Sequence, residues 1–196
     1  MCFRRHHPCR QINSLYYDSV DLYSYHESLE GASFRTKSRI RWYGTDFQNI
    51  PATLEFKKKL GYKSYKILWK NIFKICTNAK RWDAFILSSN KKQTIRKLLP
   101  NLFPTSLISY YRSYFISLDK KIRITVDKDL KFYDQRISAY PNSKFFTENP
   151  QVFVIEIKAE EKDERYLNKF LKDFPFSASR FSKYCESLNL RRHMIS

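Results

Sequence analysis

The sequence predicts an α+β fold built on antiparallel strand pairs, and three observations carry that expectation. Several segments alternate apolar and polar side chains with the two-residue period of a half-buried strand. They recur at hairpin-like spacings, with room for only two or three helices between them. Hydrophobic residues make up 42% of the 196 residues and aromatics 17%, enough to build one domain around its own core.

The elements follow in order. Arg10 to Ser19 reads as a strand ending in an Asp-Ser turn, and Asp21 to Glu30 as a short helix or turn. Gly31 leads into a strand over Ser33 to Gly44. Ala52 to Lys59 forms the next strand, broken by Gly61, and a Tyr- and Ile-containing stretch with Lys63, Lys66 and Lys70 follows. Between Thr77 and Asn101, Trp82, Phe85 and Ile86 and then Ile95, Leu98 and Leu99 have helical i, i+3, i+4 spacing. Strands are expected again over Leu107–Phe115, Lys121–Asp127 and Gln151–Lys158. Glu160 to Phe174 suits an amphipathic helix with an acidic first turn, burying Tyr166, Leu167, Phe170 and Leu171.

Composition narrows the function classes. A net charge of +18 calls for a polyanionic partner: nucleic acid, an acidic membrane surface or a chain of phosphates. With only three glycines and no P-loop or dinucleotide fingerprint, the usual nucleotide-binding loops are excluded. No apolar run is long enough to span a membrane, and the first residues lack the core of a signal peptide, so a cytoplasmic location is expected. Cys2, Cys9, Cys76 and Cys185 suit reduced thiols. Cys2, His6, His7 and Cys9 match no standard zinc spacing, and a disordered or truncated amino terminus is the expectation there.

The most informative stretch is Ser33–Gly44. As a strand it places Arg35, Lys37, Arg39 and Arg41 on one face and Phe34, Thr36, Ser38, Ile40 and Trp42 on the other. Same-face neighbours lie about 7 Å apart and repel by about 2 kcal/mol at an effective dielectric of about 20. A solvated sheet face tolerates one such strand, but other strands repeat the pattern. If the sheet closes with its apolar face outward under helices, the cations line a tunnel suited to phosphates. Glu156 among them would suit a divalent metal, or an ordinary salt bridge.

The runs Asn13–Ser19, Arg39–Gly44, Leu54–Lys57, Arg123–Asp127, Val154–Lys158 and Phe181–Tyr184, in this order, resemble the VTC domain of polyphosphate polymerases, within the triphosphate tunnel metalloenzyme (CYTH-like) superfamily. The resemblance spans about Arg10 to Ser187 and implies a closed antiparallel β-barrel with flanking helices. It also implies transfer of the γ-phosphoryl group of ATP onto polyphosphate held in the tunnel, with Mn²⁺ or Mg²⁺. By motif, Arg39, Arg41, Lys57, Arg112, Arg123 and Lys183 would be catalytic, and Arg35, Lys37, Lys66, Tyr110, Arg180 and Ser182 would bind phosphate or nucleotide. Lys63 competes with Lys66 for its role, and Arg180 stands where the family carries lysine. Glu156 would bind the metal, and Ser182 and Lys183 would sit on the closing strand.

Relatives with these motifs begin with a further strand and helix. Here only the residues up to Ile12 precede Asn13, so the resemblance implies a barrel lacking its first strand, with two unpaired edges. ATP and polyphosphate are the expected partners, with no nucleic acid. The alternatives are a tunnel triphosphatase or polyphosphatase and a non-catalytic polyphosphate-binding module.

Overall fold

A computed structural model describes residues 2–45, 49–88, 95–137, 139–148 and 152–195. The strands are β1 (Phe3–Asp18), β2 (Phe34–Tyr43), β3 (Ile50–Leu60), β4 (Lys63–Ile75), β5 (Ile86–Ser88), β6 (Phe103–Ser117), β7 (Ile122–Asp134), β8 (Thr147–Glu148) and β9 (Val154–Ala159). The helices are α1 (Tyr23–Leu29), α2 (Trp82–Phe85), α3 (Ile95–Leu98), α4 (Glu164–Lys172) and α5 (Lys183–Ile195). All the strands join one antiparallel sheet in the order β5-β4-β3-β2-β1-β6-β7-β8, and β9 also pairs with β7.

Register turns the sequence alternation into two continuous faces. Tyr16 lies opposite Arg39 and Ser14 opposite Arg41; on the other side of β2, Arg39 faces Glu55 and Lys37 faces Lys57. Lys57 in turn pairs with Lys66. Across β6 and β7, Arg112 faces Asp127, and Thr125 faces Glu156 of β9. The other face holds Leu15, Tyr17, Ile40, Trp42, Leu54, Phe73 and Leu107, packed with Trp82, Phe85, Ile95, Leu98 and Leu99 from α2, α3 and their surroundings. Apolar side chains therefore face outward under short helices, and the charged face is turned inward.

The sheet curls. β3 and β9 are five strand positions apart, about 24 Å in a flat sheet. Yet Lys57 on β3 lies in the electrostatic field of Glu156 and Lys158 on β9. The two ends of the sheet thus face each other across a concave channel. Closure is incomplete, in keeping with the expected pair of unpaired edges: among the described residues β4 and β9 do not pair, and the sheet is not closed by hydrogen bonds. An open seam runs between them.

Helix α5 covers one end of the channel. Tyr184, Cys185 and Leu188 pack with Ile12, Tyr16, Tyr25, Ile108, Tyr110, Leu130 and Phe132 in a second core on the concave side. Asp18, at the end of β1, fastens this corner. Its fully buried carboxylate accepts the backbone N–H of Ser24 and Tyr25 at 2.9 and 3.0 Å, capping α1, whose own N-cap residue is an apolar Leu22. It also accepts the Tyr184 hydroxyl at 2.5 Å, tying α5 to β1. Asp18→Ala should cost about 2–4 kcal/mol, because it orphans several buried donors at once. Urea denaturation checks this; an unchanged midpoint would contradict it.

Several local expectations change. The amino terminus, expected to be disordered, extends β1 back to Phe3 because β6 continues beside it to Ser117. Ile86 begins a short strand rather than continuing a helix, since it pairs with Ile75. The helix expected from Glu160 starts with a 3₁₀ turn at Glu161–Asp163 and buries none of its apolar residues fully, with Tyr166 47% and Leu171 38% exposed. It leans on the amino-terminal end of β1, where Phe170 and Phe3 have ring centroids 5.4 Å apart. Ser182 and Lys183 stand at the start of α5 and not on a closing strand. Gln151, the first residue of the last expected strand, lies outside the described residues.

Candidate phosphate-binding channel

Two buried carboxylates organise the concave face. Glu55 binds Arg39 through Nε and Nη2, both at 2.7 Å, holds the Lys66 ammonium at 2.9 Å and lies 3.9 Å from Arg41. One side chain therefore ties cations from β2 and β4 to β3. Asp127, with no exposed surface, takes two bonds from Arg112 at 2.5 and 2.7 Å and a third from Lys183 at 2.6 Å. It joins β6, β7 and α5. Bidentate pairs of this kind fix the guanidinium plane as well as its position.

Further contacts complete the cluster. Arg39 donates to the Tyr16 hydroxyl at 2.8 Å, and among the described residues Arg41 makes a long contact with Ser14 Oγ at 3.4 Å besides its distant approach to Glu55. Lys37 donates to Ser182 Oγ at 2.9 Å. Ser182 also accepts the backbone N–H of Cys185, so it caps α5 and aims the helix amino terminus at the same face. The Arg112 guanidinium lies 5.4 Å and the Lys183 ammonium 4.9 Å from the centre of the Tyr110 ring.

The cations outweigh the acids, and the ionisation of the site shows it. Burial alone would raise the Glu55 carboxyl, but the charges of Arg39 and Arg41 and the Lys66 bond leave it below its ordinary value. Tyr16 likewise ends below the usual phenol range: burial opposes this, and Arg39 and Arg41 overcome it. Tyr110, where burial prevails, is pushed up to about 12. Desolvation lowers Lys37, with Arg35 and Lys57 adding repulsion, and desolvation lowers Lys57, with attraction to Glu156 opposing the shift and Lys158 and Arg39 adding to it. Cations crowd this face, an arrangement suited to closely spaced negative charges.

The structure thus brings together Lys37, Arg39, Arg41, Lys57, Lys66, Tyr110, Arg112, Glu156, Ser182 and Lys183. Of the two competing lysines, Lys66 shares the Glu55 carboxylate, whereas Lys63 pairs with Leu60 at the hairpin end. Three expected residues lie outside the cluster. Arg35 turns back to the Ala32 carbonyl at 2.9 Å. Arg123 is exposed further along the channel face, beside Lys158 in register and near His6. Arg180 is exposed before α5, its Nη1 only 3.1 Å from where a side chain on Gly31 would begin; Gly31, at φ 74°, leaves it that space. Sequence reasoning gave no role to Glu55, Asp127, Ser14, Tyr16 or Lys158. The signal for the first two was present as acids on the cationic face of their strands.

Glu156 differs from the buried pair. Its side chain is 40% exposed, bound by Lys158 at 2.7 Å and approached by Arg112 at 3.8 Å. Burial tends to raise its pKa, but the Lys158 bond and the nearby cations hold it below the ordinary value. No group of three or more His, Cys, Asp or Glu side chains gathers as a metal cage among the described residues. Glu156 would have to exchange its Lys158 ion pair for an ion such as Mg²⁺, which is commonly held by one or two carboxylates together with water and substrate phosphates.

A cation-lined concave face on a curled antiparallel sheet, with apolar side chains outward under short helices, is the class of fold the chain displays. The VTC domain family matches residues 4–191, and the chain belongs to it. No curated protein matches the chain. No helix among the described residues is long and apolar enough to cross a membrane.

Proposed function

We propose that this chain is a phosphotransferase that moves the γ-phosphoryl group of ATP onto the end of a polyphosphate chain lying in the concave channel. The observation that supports this most strongly is the preorganisation of Arg39 by Glu55 and of Arg112 by Asp127, with Arg41 beside Glu55 on the same inward face. Membership of the VTC family points to the same polymer.

In the reaction an oxygen of the terminal phosphate of the chain forms a bond to the γ-phosphorus, the bond from that phosphorus to the β-γ bridging oxygen breaks, and ADP leaves. Such transfer needs alignment and charge neutralisation more than a protein nucleophile. Arg39, Arg41 and Arg112 hold phosphate oxygens by paired N–H donors, Lys57, Lys66 and Lys183 add point charges, and the α5 amino terminus contributes its dipole. Glu156 would hold a Mn²⁺ or Mg²⁺ ion. When bound, that ion screens the repulsion between phosphate groups.

Incubation of the purified protein with ATP and Mn²⁺, followed by gel analysis of the product, tests the reading. Long-chain polyphosphate with equivalent ADP is expected. Orthophosphate alone would indicate a hydrolase, and tight polyphosphate binding without ATP consumption a non-catalytic module. Glu156→Ala should lower the response of the rate to Mn²⁺ while polyphosphate still binds; an unchanged metal titration would remove Glu156 from the site.

A further inference from the structure

Tyr16 is a buried titratable group amid the cationic face, and the phosphoryl transfer described above leaves it without a task. Its ring is 7% exposed and lies on the inward face of β1, opposite Arg39. It stacks on Tyr184, with ring centroids 5.0 Å apart and planes 14° apart, and the Tyr184 hydroxyl is anchored to Asp18. The Arg39 guanidinium lies 5.7 Å from the ring centre. Ring and hydroxyl are therefore held in place before a ligand arrives. The hydroxyl itself is only half used. It accepts Nη1 of Arg39 at 2.8 Å, and among the described residues no group accepts its own proton. A phenol both donates and accepts, and a buried donor left unpaired costs about 1–3 kcal/mol. The charges that act on the oxygen come from Arg39, Arg41 and Lys183, and Lys37 and Lys57 feel it in turn. A charged ammonium or guanidinium group cannot accept a hydrogen bond. An oxyanion carried in by a ligand can.

We infer that the Tyr16 hydroxyl is a direct ligand of phosphate in the channel, donating its proton to a non-bridging phosphate oxygen while Arg39 donates to it. Against the diffuse pull of the cations it adds one neutral, directional donor whose plane is fixed by Tyr184. The inference rests on the reading that phosphate chains lie in the channel, and it holds with or without turnover of ATP. Lys37, Arg39 and Arg41 of β2, Lys57 of β3, Tyr110 of β6 and Lys183 and Tyr184 of α5 surround the phenol, with Glu55 behind Arg39. Burial raises its pKa, but Arg39 and Arg41 overcome this and leave it below the ordinary value. As pH rises through that folded value the donor is lost and a negative charge appears, so phosphate binding weakens. By linkage, bound phosphate raises the phenol pKa.

Tripolyphosphate is the probe. At neutral pH, Tyr16→Phe should bind it about tenfold less tightly than wild type while keeping its circular dichroism spectrum. The same substitution on an Arg39→Ala background should still cost several-fold. Ultraviolet titration of wild type should show a tyrosine ionising below the usual range, absent from Tyr16→Phe and moved upward by tripolyphosphate. Should Tyr16→Phe not fold, the wild-type titration with and without tripolyphosphate still decides. Wild-type affinity in Tyr16→Phe would overturn the inference, as would a low tyrosine step that tripolyphosphate leaves unmoved. No further loss on the Arg39→Ala background would overturn it too, since Tyr16 would then act only by holding Arg39. These three results leave the channel reading standing, whereas failure of wild type to bind tripolyphosphate would overturn both.

Discussion

Arg41→Ala should reduce polyphosphate synthesis by about 100-fold or more while lowering the melting temperature by only a few degrees. Removing one preorganised donor aimed at developing charge typically costs a factor of this order. Arg41 is well placed to show it in isolation. Its side chain is 11% exposed, and among the described residues its contacts are long, 3.4 Å to Ser14 and 3.9 Å to Glu55, so its donors are the least committed there of the clustered arginines. Arg39→Ala should abolish synthesis to a similar degree with a larger stability cost, because Arg39 binds both Glu55 and Tyr16. Lys66 still holds Glu55 in that variant, so the fold survives. Rates measured with ATP and Mn²⁺ beside thermal melts separate the two effects. Wild-type rates in either variant would remove the arginines from the reaction.

Glu55→Ala should be the most damaging single change to stability. It removes the shared counter-ion of Arg39 and Lys66 and the nearest one to Arg41, leaving crowded cations on adjacent strands. Breaking a buried ion pair from one side costs about 3–5 kcal/mol, which in a chain of this size lowers the melting temperature by on the order of 10 °C. The same carboxylate sets an acid limit. Its pKa is lower in the folded protein than the ordinary 4.5, so its contribution is complete above that value and is lost as pH falls through the lower folded value. Wild type should therefore lose stability on acidification below about pH 4.5, and Glu55→Gln should show a shallower loss from a lower starting point. Parallel pH profiles for the two proteins would contradict this assignment. Added polyphosphate should partly rescue Glu55→Ala, by supplying the missing negative charge.

Much of this architecture was legible in the alternation of strand residues. Arg35 to Arg41, Glu55 to Lys59 and Arg123 to Asp127 each announced a charged and an apolar face, and register then laid those faces together. Closure was not legible, because a period of two defines faces but says nothing about whether the last strand meets the first. The amino-terminal half of β1 was missed for a related reason. Arg4, Arg5, His6 and His7 show no alternation, and their strand conformation comes from pairing with Ile116, Phe115 and Tyr114 of β6. The short strand at Ile86 is likewise a tertiary effect that overrode helical spacing. Lys183 was expected on a closing strand as a catalytic residue, but its place at the start of α5 depends on the Asp18–Tyr184 tether and on Asp127, which lie far apart in sequence. The organising role of Glu55 and Asp127 was not legible because their partners are set by cross-strand register, Arg39 opposite Glu55 and Arg112 opposite Asp127. In the structure they are the parts that aim the arginines.

A crystal structure of the protein soaked with tripolyphosphate tests the central claim most directly. The account predicts electron density for the chain along the concave face, with phosphate oxygens on the guanidinium groups of Arg39, Arg41 and Arg112 and close to Lys183. Density only on the outer surface, with those arginines still turned wholly to Glu55 and Asp127, would contradict it.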